Sequence, residues 1–174
     1  MDQVLFSTAA NDGGGRDDWQ TPKWLLGALA MWAGCPPIVL DPCSNGANAV
    51  GPNFYTEEEN GLIQPWAKFG KIFVNPPYSG IKQWCKKAHD ESLLLQNSDD
   101  YIALLIPART DTQYFHDYVI KATQLFFLKG RLKFELPDGT KGGSAPFPSV
   151  IAIWRGESDR HEDCDYVQFV DWRP

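Results

Sequence analysis

The apolar run Lys71-Ile72-Phe73-Val74 stops at Asn75-Pro76-Pro77-Tyr78, and this junction constrains the chain more than any other. Proline lacks a backbone donor and ends sheet pairing, so a strand must finish here. Its carboxyl end then carries an amide side chain, the free carbonyl of Pro76 and the flat ring of Tyr78. In open α/β sheets, ligands bind at the carboxyl ends of the strands. The groups gathered here suit a planar amino group. Two acceptors can take its two N–H bonds, and the ring can cover the system that carries it.

A second junction has the same form. Ile38-Val39-Leu40-Asp41 reads as a short buried strand, and its last residue opens the segment Asp41-Pro42-Cys43-Ser44-Asn45-Gly46. Small residues after a strand let backbone approach a ligand closely, and the Asp41 carboxylate can accept bonds from an ammonium or from hydroxyls. The segment is not a phosphate loop, because the lysine and the spacing of that motif are absent. Alone, it reads as an ordinary strand-to-loop turn; beside Asn75 it reads as a ligand loop.

The rest of the chain places these junctions in an α/β pattern. Residues 1–17, with Asn11-Asp12-Gly13-Gly14-Gly15, read as a flexible arm, and residues 18–174 as a single domain. Thr21-Pro22 looks like a helix start, with the threonine as cap, and Lys23 to Met31 carries apolar residues at helical spacing until Gly34 and Pro36-Pro37 end it. Ile81 to about Gln96 is amphipathic, and Tyr101 to Ile106 is a buried strand closed by Pro107. A helix is expected over Thr110 to Ile120, capped by Thr110 or Asp111. Leu125 to Leu128, Leu132 to Phe134 and Ser149 to Trp154 read as further strands, with an edge strand at Tyr166 to Val170. Alternating strands and helices predict a mostly parallel sheet, closed by an antiparallel C-terminal hairpin because loops separate the later strands.

Composition excludes several classes. No apolar run approaches the roughly 20 residues that span a membrane, and no secretory signal opens the chain, so a cytoplasmic protein is expected. Cys35, Cys43, Cys85 and Cys164 are scattered without a C-x-x-C, which argues against structural zinc and disulfides, and no metal site is expected. The net charge of −6 argues against a broad nucleic-acid-binding surface. Basic residues nevertheless cluster at Lys129, Arg131, Lys133 and Lys141, so a locally basic mouth on an acidic body is one reading; ordinary mixed surface charge is the other. His89, His116 and His161 fit no metal spacing and carry no catalytic assignment.

Together the Asp41 and Asn75 segments resemble S-adenosylmethionine-dependent N6-adenine methyltransferases, with their Asp-Pro-x-x-x-Gly cofactor motif and Asn-Pro-Pro-Tyr catalytic motif. Further segments resemble the small phage-encoded DNA N6-adenine methyltransferases, the phage Dam-like family. They are Trp19-Gln20-Thr21-Pro22, Phe54-Tyr55-Thr56, Asn60-Gly61-Leu62 with Trp66, Pro107-Ala108-Arg109-Thr110-Asp111, Gly130-Arg131-Leu132-Lys133-Phe134 and Ala145-Pro146-Phe147-Pro148-Ser149. The resemblance runs from about Trp19 to Trp154. It implies an abbreviated Rossmann-like class I methyltransferase sheet, in a protein that works in the host cytoplasm if it is phage-encoded.

The resemblance also implies roles. Gln20, Thr21 and Pro22 match a segment expected to close over the methionine end of S-adenosylmethionine. Asp41, Pro42, Cys43 and Ser44 match the cofactor loop, and Asn60 and Leu62 stand where the family has an Asp-Gly-Leu near the cofactor's adenine. Asn75, Pro76, Pro77 and Tyr78 are the catalytic segment, with Asn75 also beside the cofactor. Asp41 and Asn75 are only 34 positions apart, whereas one βαβ unit takes about 30 residues. The sheet is therefore abbreviated between its motifs, and Glu57, Glu58 and Glu59 are candidates by position alone for the acid that would bind a ribose; a solvated acidic turn is the competing reading.

A DNA adenine would have to be flipped out of the duplex to reach Asn75. Tyr78 would stack on it, Phe134 or Phe147 could cover its other face, and Arg109, Arg131 and Lys133 could bind phosphates. Core packing is the competing reading for both phenylalanines, and surface salt pairs for the basic residues. The same tetrapeptide serves enzymes that methylate RNA adenines or a glutamine amide, and an inactive DNA-binding decoy on this fold is the alternative of another class.

Overall fold

The computed structural model describes residues 20–135, 141–156 and 166–171. The expected flexible arm, residues 1–17, lies outside them.

A seven-stranded sheet runs in the order β2 (Asn53–Phe54), β1 (Leu40–Asp41), β3 (Lys71–Val74), β4 (Tyr101–Pro107), β8 (Ser149–Arg155), β5 (Gln124–Leu128), β9 (Tyr166–Val170). β1, β2, β3 and β4 pair in parallel, as do β5 and β9, while β8 is antiparallel to both of its neighbours. The antiparallel element is thus placed differently from the expectation. The hairpin, β6 (Lys133–Glu135) with β7 (Lys141–Ser144), forms a separate two-stranded sheet, and β8 after it inserts between β4 and β5. β9 takes the edge, as the sequence pattern predicts.

Alternation along the strands divides the core into two layers. Ile72, Val74, Ile102, Leu104, Ile106, Val150, Ala152 and Trp154 face a layer built with α2 (Ile81–Ser92) and α3 (Gln113–Asp117). Phe73, Tyr101, Ala103, Leu105, Ile151 and Ile153 face α1 (Lys23–Ala33) and the hairpin residues Leu132, Phe134 and Ala145. All seven residues of β4 are buried, which explains why that segment is apolar throughout.

Two helix caps differ from the sequence reading. α1 begins at Lys23 with Pro22 in the cap position and no side-chain cap bond. Thr21 stands one place too early to reach the first free amides, and its hydroxyl is engaged elsewhere, as described below. The helix expected over Thr110 to Ile120 shortens to α3 plus a 3-10 turn at Val119–Lys121, and neither Thr110 nor Asp111 caps it. Thr112 occupies the cap position, but its hydroxyl donates to the Arg109 carbonyl at 2.7 Å instead of capping.

No α-helix lies between β1 and β3; that stretch holds only β2 and 3-10 turns at Gly61–Ile63 and Ala67–Phe69. The abbreviation inferred from the spacing is therefore real. Its stability comes from α2. The buried Glu91 carboxylate accepts from the backbone amides of Trp66 and Ala67 at 2.9 and 2.8 Å and from Lys87 Nζ at 2.5 Å. Burial pushes this carboxyl upward, but the Lys87 ammonium and the two amides outweigh it and hold its pKa below the ordinary value. Trp66 stacks on Trp84 of α2, with ring centroids 5.8 Å apart, and its indole donates to the Gly61 carbonyl at 2.8 Å.

Candidate functional site

β1, β3 and β4 are parallel neighbours, so Asp41, Asn75 and Pro107 end at one edge of the sheet. β5 also ends there, because β8 begins opposite Pro107 and runs back antiparallel. The segment joining β5 to β8, with Arg131, Lys133 and Phe147, accordingly rises from this same edge. One edge therefore gathers the tetrapeptide, the Asp41 loop, Arg109 and the basic hairpin.

The Asp41 loop is closed by its own hydrogen bonds. Asp41 is 5% exposed, and its two carboxylate oxygens accept from the amides of Cys43 at 3.1 Å and Val50 at 3.2 Å. Burial pushes its pKa up to about 6 against the opposing pull of those two amides. Ser44 Oγ donates to Asn48 Oδ1 at 2.9 Å and accepts from Gly46 N at 3.0 Å. Asn45 Oδ1 accepts from the amides of Ala47 and Asn48, while Asn48 Oδ1 accepts from the Asn45 amide. The amides that would cradle a phosphate are thus already used. Asp41 itself braces the loop, a role that sequence reasoning did not assign to it.

The Asn60 segment packs directly against that loop. A methyl added at Gly61 would stand 1.9 Å from the Pro42 carbonyl oxygen, so only glycine permits this approach. Asn60 has φ 53°, a left-handed conformation that asparagine tolerates, and its Oδ1 accepts from the Leu62 amide at 3.2 Å. Local geometry accounts for an asparagine here without any charge. Glu57, Glu58 and Glu59 are exposed, and Glu59 accepts from the amide and hydroxyl of Thr56 at 2.9 and 3.2 Å. They form the solvated acidic turn.

Asn75 is partly buried, and its Nδ2 donates to Thr21 Oγ1 at 3.1 Å. Pro76 is buried, and Tyr78 opens a 3-10 turn at Tyr78–Gly80 that leads into α2. Gln20 and Thr21 are partly buried and Pro22 is buried. The structure thus brings the Thr21 segment to the tetrapeptide; its direct partner there is Asn75.

On the neighbouring strand ends, the exposed Arg109 lays its guanidinium over the Phe147 ring, 4.5 Å from the centroid, and the Ala108 amide donates to the Pro148 carbonyl at 2.8 Å. Arg131 and Lys133 are exposed. Phe134 is 2% exposed and packs among Leu132, Ala145 and the α1 layer. Its ring is core, which corrects its candidacy as a base-facing aromatic, because strand alternation turns Phe134 inward while Lys133 points out. Among the described residues no group of three histidine, cysteine or acidic side chains could hold a metal, and no helix is long and apolar enough to cross a membrane.

Fold and site together define a mixed α/β protein with an amide and prolyl carbonyl at a strand end, beside a self-braced loop. A model of the DNA N-6-adenine-methyltransferase (Dam) family matches residues 9–168, and the chain belongs to that family. It is 29% identical over 148 residues to the DNA N-6-adenine-methyltransferase of Escherichia phage T1, a match that covers 85% of this chain and 58% of that protein. It is also 36% identical over 67 residues to YfdM of Escherichia coli (strain K12), named as a candidate methyltransferase, covering 36% of this chain and 71% of that one. The chain therefore spans little more than half the length of its phage T1 relative.

Proposed function

We propose that this chain transfers a methyl group from S-adenosylmethionine to the exocyclic N6 of adenine in DNA. The observation that carries this reading is the placement of Asn75-Pro76 at the carboxyl edge of β3, beside the Asp41 loop of β1, in a chain of this family. The loop chemistry fits the cofactor. S-adenosylmethionine has no phosphate, and the loop offers no open row of amides for one. Asp41, Pro42, Cys43 and Ser44, with Asn60, Leu62 and the Gln20 to Pro22 segment, would hold it. When bound, it supplies an electrophilic methyl group on a sulfonium.

Adenine N6 is a poor nucleophile because its lone pair is delocalised into the ring. Asn75 Oδ1 and the Pro76 carbonyl each accept one N6–H bond, which draws the nitrogen toward tetrahedral geometry and frees the lone pair. Positive charge growing on N6 then meets two fixed acceptors, a preorganised electrostatic effect. Holding the amine in line for transfer is the second large contribution. The methyl would bond to N6 as its bond to the sulfonium sulfur breaks, the electron pair staying on sulfur to leave a neutral thioether, and one N6 proton leaves to water afterwards, so no tuned general base is needed.

The target base enters by flipping out of the duplex, or from an unpaired region. Tyr78 stacks on it, an interaction of about 1–3 kcal/mol. Phe147, held by Arg109, lines the approach, and Arg109, Arg131 and Lys133 contact phosphates, which steers DNA to this edge of an otherwise acidic protein.

The test is tritiated methyl transfer from S-adenosylmethionine to DNA, RNA and protein in parallel, followed by mapping of modified adenines. Label in DNA adenine is expected. Label confined to protein or RNA would overturn the reading. No cofactor binding by calorimetry and no transfer would favour the inactive decoy.

A further inference from the structure

The two edges of the seven-stranded sheet are built differently. β2, at one edge, is two residues long and offers little to a further strand, whereas β9, at the other, runs for five. Among the described residues no strand pairs with the outer side of β9. Such an edge presents a row of open amides and carbonyls, and proteins usually blunt it with charge, proline or a bulge. β9, Tyr166-Val167-Gln168-Phe169-Val170, carries neither charge nor proline and pairs with β5 residue for residue without a shift. Alternation sets its faces. Val170 turns to the α1 layer and is buried, while Val167 and Phe169 turn to the face of their register partners Leu125 and Phe127. There they are 52% and 80% exposed, with the Phe169 ring stacked on Phe127 at 5.3 Å between centroids. One strand therefore combines an open backbone edge with an exposed apolar stripe.

We infer that β9 pairs with β9 of a second copy of this chain, antiparallel about a two-fold axis, and joins the two sheets into one. Charge selects both the occupant and the direction. The sequence leading into β9, residues 157–165, holds five acidic residues and one arginine. At the other end of the strand Lys129 and Asp171 offset each other as an ion pair at 2.9 Å, beside the exposed Arg131 and, in sequence, Arg173. A strand that is acidic before its start and basic about its finish repels a parallel copy and attracts an antiparallel one. DNA is the poorer occupant, because the stripe has no cation to offer a phosphate and the run before it is acidic. A two-fold axis normal to the sheet keeps the faces in register, so Val167 and Phe169 of each copy extend the apolar stripe of the other. Aromatic and β-branched neighbours across a strand pair are favourable contacts.

Pairing over one short strand is small beside the roughly 800 Å² per partner of a stable complex, so a weak dimer with a Kd on the order of 10 µM is expected. β9 is parallel to β5 and finishes at the same edge, so the two candidate sites of the dimer face opposite ways. The inference rests on the fold and is independent of the methylation reading.

Sedimentation equilibrium of the full chain, from about 1 to about 200 µM, brackets that Kd and is expected to show monomer passing to dimer. Phe169→Thr and Val167→Thr remove apolar area but keep a good strand former, and are expected to raise Kd about tenfold and about threefold, with Tm near wild type because both side chains are exposed. A third measurement needs no variant: amide exchange across residues 166–170 of the wild type is expected to slow as the protein is concentrated through its Kd. A monomer at the highest concentration overturns the inference; if its β9 amides are already protected, another part of this chain covers the edge. A dimer with unchanged Kd in both variants, or with β9 exchange indifferent to concentration, uses another face and also overturns it. So does growth past the dimer, which a closed two-fold pairing forbids. A fall in DNA affinity in the Thr variants, with their association unchanged, would make the stripe a DNA surface instead.

Discussion

The two strand ends at the active edge are stabilised in opposite ways. The Asp41 loop satisfies itself: Asp41, Ser44, Asn45 and Asn48 consume its amides within ten residues of sequence. The two prolines of the Asn75 segment have no N–H to spend on such local bonds, and Asn75 meets its side-chain partner in Thr21, 54 positions earlier and just ahead of α1. A loop that spends its polar groups on itself becomes a wall. A segment that cannot do so keeps acceptors in hand for a ligand.

The largest expected effect falls on the open segment. Asn75→Ala removes one of the two acceptors and should lower methyl transfer about 10²–10³-fold, with Tm and cofactor affinity retained. If the protein unfolds instead, Asn75 is structural and the contrast between the two strand ends collapses.

The closed loop should respond to pH. The Asp41 pKa is raised to about 6 from 3.8 by burial, so its contribution to stability is present below about pH 3.8 and is lost as pH rises through about 6. That loss is on the order of 3 kcal/mol. Asp41→Asn should flatten the stability profile over this window, while exposing the loop by leaving the Cys43 or Val50 amide without its acceptor. Urea unfolding measured from pH 4 to 7 tests this; a variant with the wild-type slope would show that Asp41 does not titrate in the loop.

A smaller effect separates the site from the scaffold. A methyl at Gly61 or at Gly156 would in each case stand 1.9 Å from a backbone carbonyl oxygen, of Pro42 and of Asn97 respectively. Each alanine variant should lose about 2 kcal/mol of stability through forced backbone shifts. Only Gly61→Ala presses on the Asp41 loop, so only it should also weaken S-adenosylmethionine binding by calorimetry. Gly156 lies at the opposite edge, after β8. Equal cofactor binding in the two variants would detach the Asn60 segment from the cofactor site.

The smallest effect concerns the DNA approach. Arg109→Ala removes one exposed charge proposed to contact phosphate and uncovers Phe147; DNA affinity should fall about fivefold, with the salt slope shallower by about one. An unchanged slope would leave Arg109 as a partner of the Phe147 ring alone.

The strands were legible because their apolar runs end at hard stops: Asp41-Pro42, Asn75-Pro76 and Pro107 each close an element where proline chemistry requires it. The edge strand at Tyr166–Val170 was legible as the apolar exception in a polar C-terminal stretch. Helix caps were not, since Thr21 has the right chemistry in sequence and meets Asn75 in space, while Thr112 and not Thr110 takes the cap position of α3. Nor was the support beneath the abbreviated stretch: the Glu91 carboxylate reaches Trp66 across 25 positions, and no local pattern announces it.

The sequence alone determined that an amide, a prolyl carbonyl and a ring stand together at a strand end, because proline ends the strand wherever it falls. It also determined that the stretch from Asp41 to Asn75 is too short for a full strand-helix repertoire. The tertiary structure decided which polar groups remain available. Asp41 bonds the amides of its own loop, Phe134 is turned into the core by strand alternation, and Asn75 meets the hydroxyl of Thr21, just ahead of α1. Hydrogen-bond satisfaction is settled by distance in space, and a chain's local pattern does not carry that information across 54 residues.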